Sequence, residues 1–148
     1  LKDPCHTARI RFLLELFPDA RFVHIVRNPY HVLPSVLGVW RVVLPTAQLQ
    51  DVSPAEIEAA TIDAYERMMR RYLAERDAIP DGQLVEVRYE HLEREPMGEV
   101  ARIYRDLDLP GWGAAAPRIA AYLASIRSFV KNEYRVDAAI VDTVNRHW

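Results

Sequence analysis

The chain has 148 residues, half of them hydrophobic and 27% charged, the proportions of a globular domain large enough for a real core. A formal net charge of −2 excludes a global pull toward nucleic acid or anionic membrane, so any anion site must be built locally from a few placed cations. No apolar run approaches the roughly 20 residues of a membrane span, and the single cysteine, Cys5, excludes an intrachain disulfide framework and fits a reducing, cytoplasmic setting.

Ile10, Leu13, Leu14 and Phe17 fall at i, i+3, i+4, i+7 spacing and predict an amphipathic helix over residues 6–17, stopped by Pro18-Asp19. Arg21 to Val26 is a short, β-rich, nearly continuous apolar run, the pattern of a strand buried on both faces of a parallel sheet. It exits into Arg27-Asn28-Pro29, where Asn28 can cap a helix and Pro29 suits its first position. Val32, Leu33, Val36, Leu37 and Trp40 form that helix's apolar stripe, and residues 41–52 read as a surface loop. Ser53-Pro54-Ala55-Glu56 is a capping box that opens a long helix to about Ala78. That helix has Ile57, Ala60, Tyr65, Met68, Met69 and Tyr72 on one face and i, i+4 charge pairs on the other.

Pro80-Asp81-Gly82 is a turn, and Leu84 to Tyr89 a second strand. Glu95-Pro96 opens a helix carrying Val100, Ile103, Tyr104 and Leu107, broken by Leu109 to Gly113. Helical patterns return at residues 117–129 and 137–147. The order is that of an α/β fold, a parallel sheet flanked by helices, with no repeat or linker to divide residues 1–148 into more than one domain. Two strands are few where sheets usually have about 4–6. With Leu rather than Met at position 1, the expectation is a piece of a longer protein whose remaining sheet lies upstream.

Arg27 stands at the carboxyl end of a strand, where open α/β sheets place their ligands, and Ser35 lies two helical turns further on. A guanidinium and a hydroxyl there suit a phosphate. The alternative is a solvated arginine and a helix-interior serine. His24 reads as a packed core residue of the strand. His31, His91 and His147 show no ligand spacing with Cys5 or one another, so no metal is expected.

Lys2-Asp3-Pro4, Leu16-Phe17-Pro18-Asp19-Ala20-Arg21-Phe22, Ile25-Val26-Arg27-Asn28-Pro29 and Ser35 together resemble sulfotransferases that use 3′-phosphoadenosine 5′-phosphosulfate (PAPS), in the bacterial branch related to tyrosylprotein sulfotransferases. The resemblance implies a P-loop-like fold and gives Arg27 and Ser35 the 3′-phosphate of the donor. Val87-Arg88-Tyr89-Glu90-His91-Leu92 resembles the family's strand end, with His91 where Asp is usual, and implies that Tyr89 lines the adenine; a core tyrosine is the alternative. Lys131-Asn132 resembles the C-terminal Lys-Asn motif whose basic residue also reaches the 3′-phosphate, against the alternative of a solvated loop lysine. Lys2 inherits the place beside the transferred sulfonate, where its ammonium would stabilise developing charge; its alternative is an exposed lysine. His6 is a candidate base for the acceptor hydroxyl, or simply the start of a helix.

The first glycine is Gly38, so no small-residue loop that could cradle the 5′-phosphosulfate stands in this sequence. The resemblance implies a small-molecule or peptide acceptor bearing a hydroxyl or amine, and leaves a homo-oligomer open. Two rival readings share the pattern: a P-loop kinase-like phosphotransferase, which needs a Gly-Lys-Ser/Thr loop, and a non-catalytic homologue that serves as an interaction module.

Overall fold

The two apolar runs form strands β1 (Phe22–Val26) and β2 (Leu84–Arg88), paired in parallel from Phe22↔Leu84 to Val26↔Arg88. Seven α-helices complete the α/β fold in the computed structural model, which describes residues 2–148. In chain order they are α1 (Ile10–Leu16), α2 (Pro29–Ala47), α3 (Pro54–Glu75), α4 (Tyr89–Arg94), α5 (Pro96–Asp106), α6 (Trp112–Ser125) and α7 (Ala138–His147). The chain divides into two compact units. A sheet unit comprises Arg9–Arg27 and Glu75–Asn132, and a helical unit comprises Leu1–Ala8, Asn28–Ala74 and Glu133–Trp148.

In the sheet unit, Val85 and Val87 of β2 are buried with Leu107, and Leu92, Ile103 and Leu109 pack around them. Arg102 of α5 donates to the Glu86 carbonyl of β2 at 3.0 Å and is itself held by Glu99 and Asp106, so α5 is pinned to the strand it covers. Partners in register share a face of the sheet, which puts Val23 beside Val85 and Ile25 beside Val87. Val87 is fully buried, yet Val23 is 42% and Ile25 51% exposed. The expectation of a strand buried on both faces therefore fails for β1: the α5 layer covers β2 and stops short of its neighbour.

Glu75 is only 3% exposed, and its Oε2 accepts the Arg11 N–H at 3.2 Å. That N–H belongs to the first turn of α1, whose donors have no partner within the helix. A buried carboxylate at this positive end both satisfies a donor and complements the helix dipole. On the opposite face of the sheet from Val87, His24 Nδ1 lies 3.6 Å from Glu86 Oε1.

The helical unit has its own core of Leu33, Leu37 and Val144. Trp148 closes it, stacking on Tyr65 with ring centroids 4.0 Å apart and donating its indole N–H to the Ile62 carbonyl. The Tyr30 hydroxyl donates to Asn145 at 2.7 Å, tying α2 to α7. The ring of Tyr134 comes within 3.0 Å of where a side chain on Gly38 would begin, so glycine is what lets that ring lie against α2. No described helix is long and apolar enough to cross a membrane.

Two caps match the sequence reading: Asn28 accepts from Tyr30 N–H with Pro29 at the first position, and Ser53 and Glu56 form the reciprocal box; Asp137, not singled out from the sequence, caps α7. Four boundaries differ. The helix expected over residues 6–17 is a 3₁₀ turn (Pro4–Ala8) followed by α1, because Asp3 takes the Cys5 N–H on its carboxylate and the His6 N–H on its carbonyl, which tightens that turn. The loop expected from residue 41 is helical to Ala47; Pro45 withholds only one N–H, and α2 ends within a turn of it. Tyr89 opens α4 rather than closing β2, an extra helix with Glu90 in its acidic first turn. The helix expected from Pro117 starts at Trp112, where Gly111 at φ +87° supplies the left-handed residue that turns the chain into it, and ends at Ser125.

Two stability measurements check this account. Glu75→Ala should lower the unfolding free energy by about 1–3 kcal/mol in denaturant titrations, the cost of an orphaned helix-end donor and lost partner. His24 has its pKa pushed below 6.5, chiefly by burial, with the Glu86 hydrogen bond and charge opposing. The unfolded chain then binds the proton more readily than the folded one. Stability contributed by neutral His24 is present above about pH 6.5 and declines as pH falls. His24→Gln should flatten that decline in unfolding curves taken from pH 7 to pH 5.

Candidate functional site

The parallel register decides which residues meet at the strands' carboxyl ends. Val26 pairs with Arg88, so the next residues, Arg27 and Tyr89, emerge side by side. The Arg27 guanidinium carbon lies 4.5 Å from the centroid of the Tyr89 ring, a cation–π contact. Among the described residues, Arg27 makes no ion pair with a carboxylate, so its charge is not consumed internally. Carboxyl ends of parallel strands are where open sheets bind ligands, and here that position carries a half-buried cation on an aromatic face.

Lys131 brings a second cation to the same unit. Its ammonium is in contact with Glu93 Oε1 of α4, a pair with 52% and 39% of the side chains exposed. The Glu93 hydrogen bond is the chief reason that the Lys131 pKa is raised; slight desolvation works against it, and the Glu93 charge and Tyr89 add to it. Arg27 works the other way, as one cation sensing another. Arg27, Tyr89, Glu93 and Lys131 thus form one electrostatic group: two cations, one anion and a ring. Two cations beside an aromatic face fit a phosphorylated nucleoside, the guanidinium and ammonium for phosphate and the ring for a base.

The other sequence candidates divide between the two units. Asn132 belongs to the sheet unit with an exposed side chain that makes no hydrogen bond among the described residues. Ser35, half-buried in α2, belongs to the helical unit, as do exposed Lys2 and half-buried His6. His6 Nδ1 is shielded from solvent without a hydrogen-bond partner among the described residues. Among those residues there is also no group of three or more His, Cys, Asp or Glu side chains arranged to hold a metal ion. Sequence reasoning missed Glu93. The signal was the i, i+4 spacing from Tyr89, which puts the two on one helix face once α4 is recognised.

The Sulfotransferase family model matches residues 1–114, more than three-quarters of the chain. The chain belongs to the sulfotransferase family. It is 32% identical over all 148 residues to omega-hydroxy-beta-dihydromenaquinone-9 sulfotransferase Stf3 of Mycobacterium bovis, and equally to Stf3 of Mycobacterium tuberculosis. It spans 38% of the length of these curated relatives. Among solved structures it is similar to the sulfotransferase STF9 of Mycobacterium avium, with a TM-score of 0.77 and 28% identity over 99% of this chain and 40% of that one. The fold also matches the sulfotransferase STF1 of Mycobacterium tuberculosis H37Rv, with a TM-score of 0.66 and 22% identity over 100% of this chain and 33% of that one.

The Arg27–Tyr89 contact of this sulfotransferase chain can be measured without any ligand. A double-mutant cycle with Arg27→Ala and Tyr89→Leu should give a coupling of about 0.5–1 kcal/mol in unfolding free energy, the scale of a partly exposed cation–π pair. Additive effects would show that the two groups do not interact in solution.

Proposed function

We infer that the full-length protein is a sulfotransferase that moves a sulfonate group from PAPS to an acceptor hydroxyl, releasing adenosine 3′,5′-bisphosphate (PAP). The sheet unit of this chain carries part of the site for the donor's phosphorylated adenosine. The observation that carries the reading is an arginine free of carboxylate partners, seated on Tyr89 at the strand ends, with Lys131 in the same charge group. Arg27 binds the 3′-phosphate with a forked donor set, and Lys131 adds a mobile point charge. The Tyr89 ring lines the adenine, offering it an aromatic surface on which to stack.

The remaining roles rest on the family resemblance. Ser35 supplies a hydroxyl donor to the 3′-phosphate, and Asn132 an amide beside it. Lys2 stabilises charge on the sulfonate oxygens as the bond to the leaving phosphate breaks. His6 accepts the proton of the attacking hydroxyl. Its shielded, unpartnered Nδ1 is compatible with an imidazole that has a partner still to meet. In this scheme the protein forms no covalent intermediate; it aligns donor and acceptor and stabilises charge, as in phosphoryl transfer.

A hydroxyl acceptor is favoured because the Stf3 relatives are named for an omega-hydroxy substrate. An apolar one suits the helical unit, where Tyr65, Met69, Leu73 and Trp148 line a shallow cleft of about 330 Å³.

Arg27→Ala in the full-length protein should weaken PAP binding by about 1.5–3 kcal/mol in isothermal titration calorimetry, the scale of a hydrogen bond to a charged group. Unchanged affinity would remove Arg27 from the donor site. Selective binding of ATP-Mg²⁺ over PAP would replace the reading with a phosphotransferase.

A further inference from the structure

We propose that Glu93 is a resident counter-ion that stands in for the ligand's phosphate on Lys131 and is displaced when the nucleotide arrives, so that it sets how tightly the site holds 3′-phosphorylated nucleotides. The inference rests on the donor-site reading of Arg27, Tyr89 and Lys131. Its basis is the asymmetry between the two cations: Arg27 has no carboxylate among the described residues, whereas Lys131 contacts Glu93 across 38 positions of sequence. Glu93 reaches it because α4 starts at Tyr89 and position 93 lies one turn further along. The helix that presents the ring therefore also presents the carboxylate.

Three other acidic residues of this unit have evident structural work. Glu99 and Asp106 clamp Arg102, which holds the β2 backbone, and Glu75 serves the start of α1. Among the described residues Glu93 has one side-chain partner, Lys131, and neither side chain of the pair is buried. An exposed ion pair contributes little to stability, so holding the fold together is a poor account of it. Its electrostatic effect on an incoming anion is larger. With Glu93 in place the group carries two positive charges and one negative, and a phosphate monoester bearing between one and two negative charges meets a half-neutralised site. Rotation of the Glu93 side chain into solvent frees the ammonium and removes like-charge repulsion together. A nucleotide without the 3′-phosphate has nothing to exchange for the carboxylate, so its binding is indifferent to Glu93.

The test is calorimetric titration of the full-length protein with PAP and with adenosine 5′-monophosphate, which lacks the 3′-phosphate. Glu93→Gln should tighten PAP roughly three- to tenfold, the effect of deleting one screened like charge at a few ångströms, and leave adenosine 5′-monophosphate unchanged. In a Lys131→Ala background the same substitution should give less than half of that gain. Glu93→Ser should repeat the result if the glutamine keeps a hydrogen bond to Lys131. PAP affinity that is unchanged or weaker in both Glu93 variants overturns the inference while leaving the donor site standing, as does an equal gain for the two nucleotides. PAP binding by none of the proteins, wild type included, overturns the donor-site reading and this inference with it.

Discussion

The parallel pairing of β1 with β2 is the constraint on which the candidate site depends. One register, ending at Val26↔Arg88, makes neighbours of Arg27 and Tyr89, which stand 62 positions apart in the chain. A slip of one residue would turn every side chain of a strand to the other face and carry the guanidinium off the ring. The burial of Val85 and Val87 against Leu107, assisted by Arg102 on the β2 backbone, fixes the β2 half of that pairing. A small apolar cluster on one face thus holds the strand from which Tyr89 emerges.

The electrostatic character of that group follows from how sparsely it is neutralised. On the exposed side of α3 the chain pairs arginines locally, Arg67 with Asp63 and Arg70 with Glu66. Such pairs sit in water and tune helix stability by small amounts. At the strand ends the arrangement differs: of two cations only Lys131 meets a carboxylate, and Arg27 lies on a ring that does not cancel its charge. A net charge of −2 for the whole chain does not prevent a local site of opposite sign.

Much of this was legible in the sequence because the signals were local. Asn28-Pro29 and Ser53 to Glu56 announce helix starts through short-range hydrogen bonds, and both act as read. Arg27 was legible as a strand-exit residue, and its motif gave the family that the family match then established. Less legible were features set by competition or tertiary geometry. Asp3 draws two backbone donors into a 3₁₀ turn and so divides the expected first helix. Periodicity also could not reveal that the α5 layer leaves Val23 and Ile25 uncovered, since an apolar run looks the same whether or not something lies upon it. Glu93 went unseen for a related reason: its meaning depends on a lysine 38 positions away and on a helix that the strand pattern of Val85 to Arg88 masks.

The uncovered side of β1 bears on handling. Among the described residues each strand has a single neighbour, so β1 offers an unpaired row of amides and carbonyls beside apolar Val23 and Ile25. No lysine lies within Phe22–Val26, and lysines are a common guard against edge-to-edge association. In the isolated 148 residues this ribbon is a surface for association between copies, and raising ionic strength would favour it by screening their like charges.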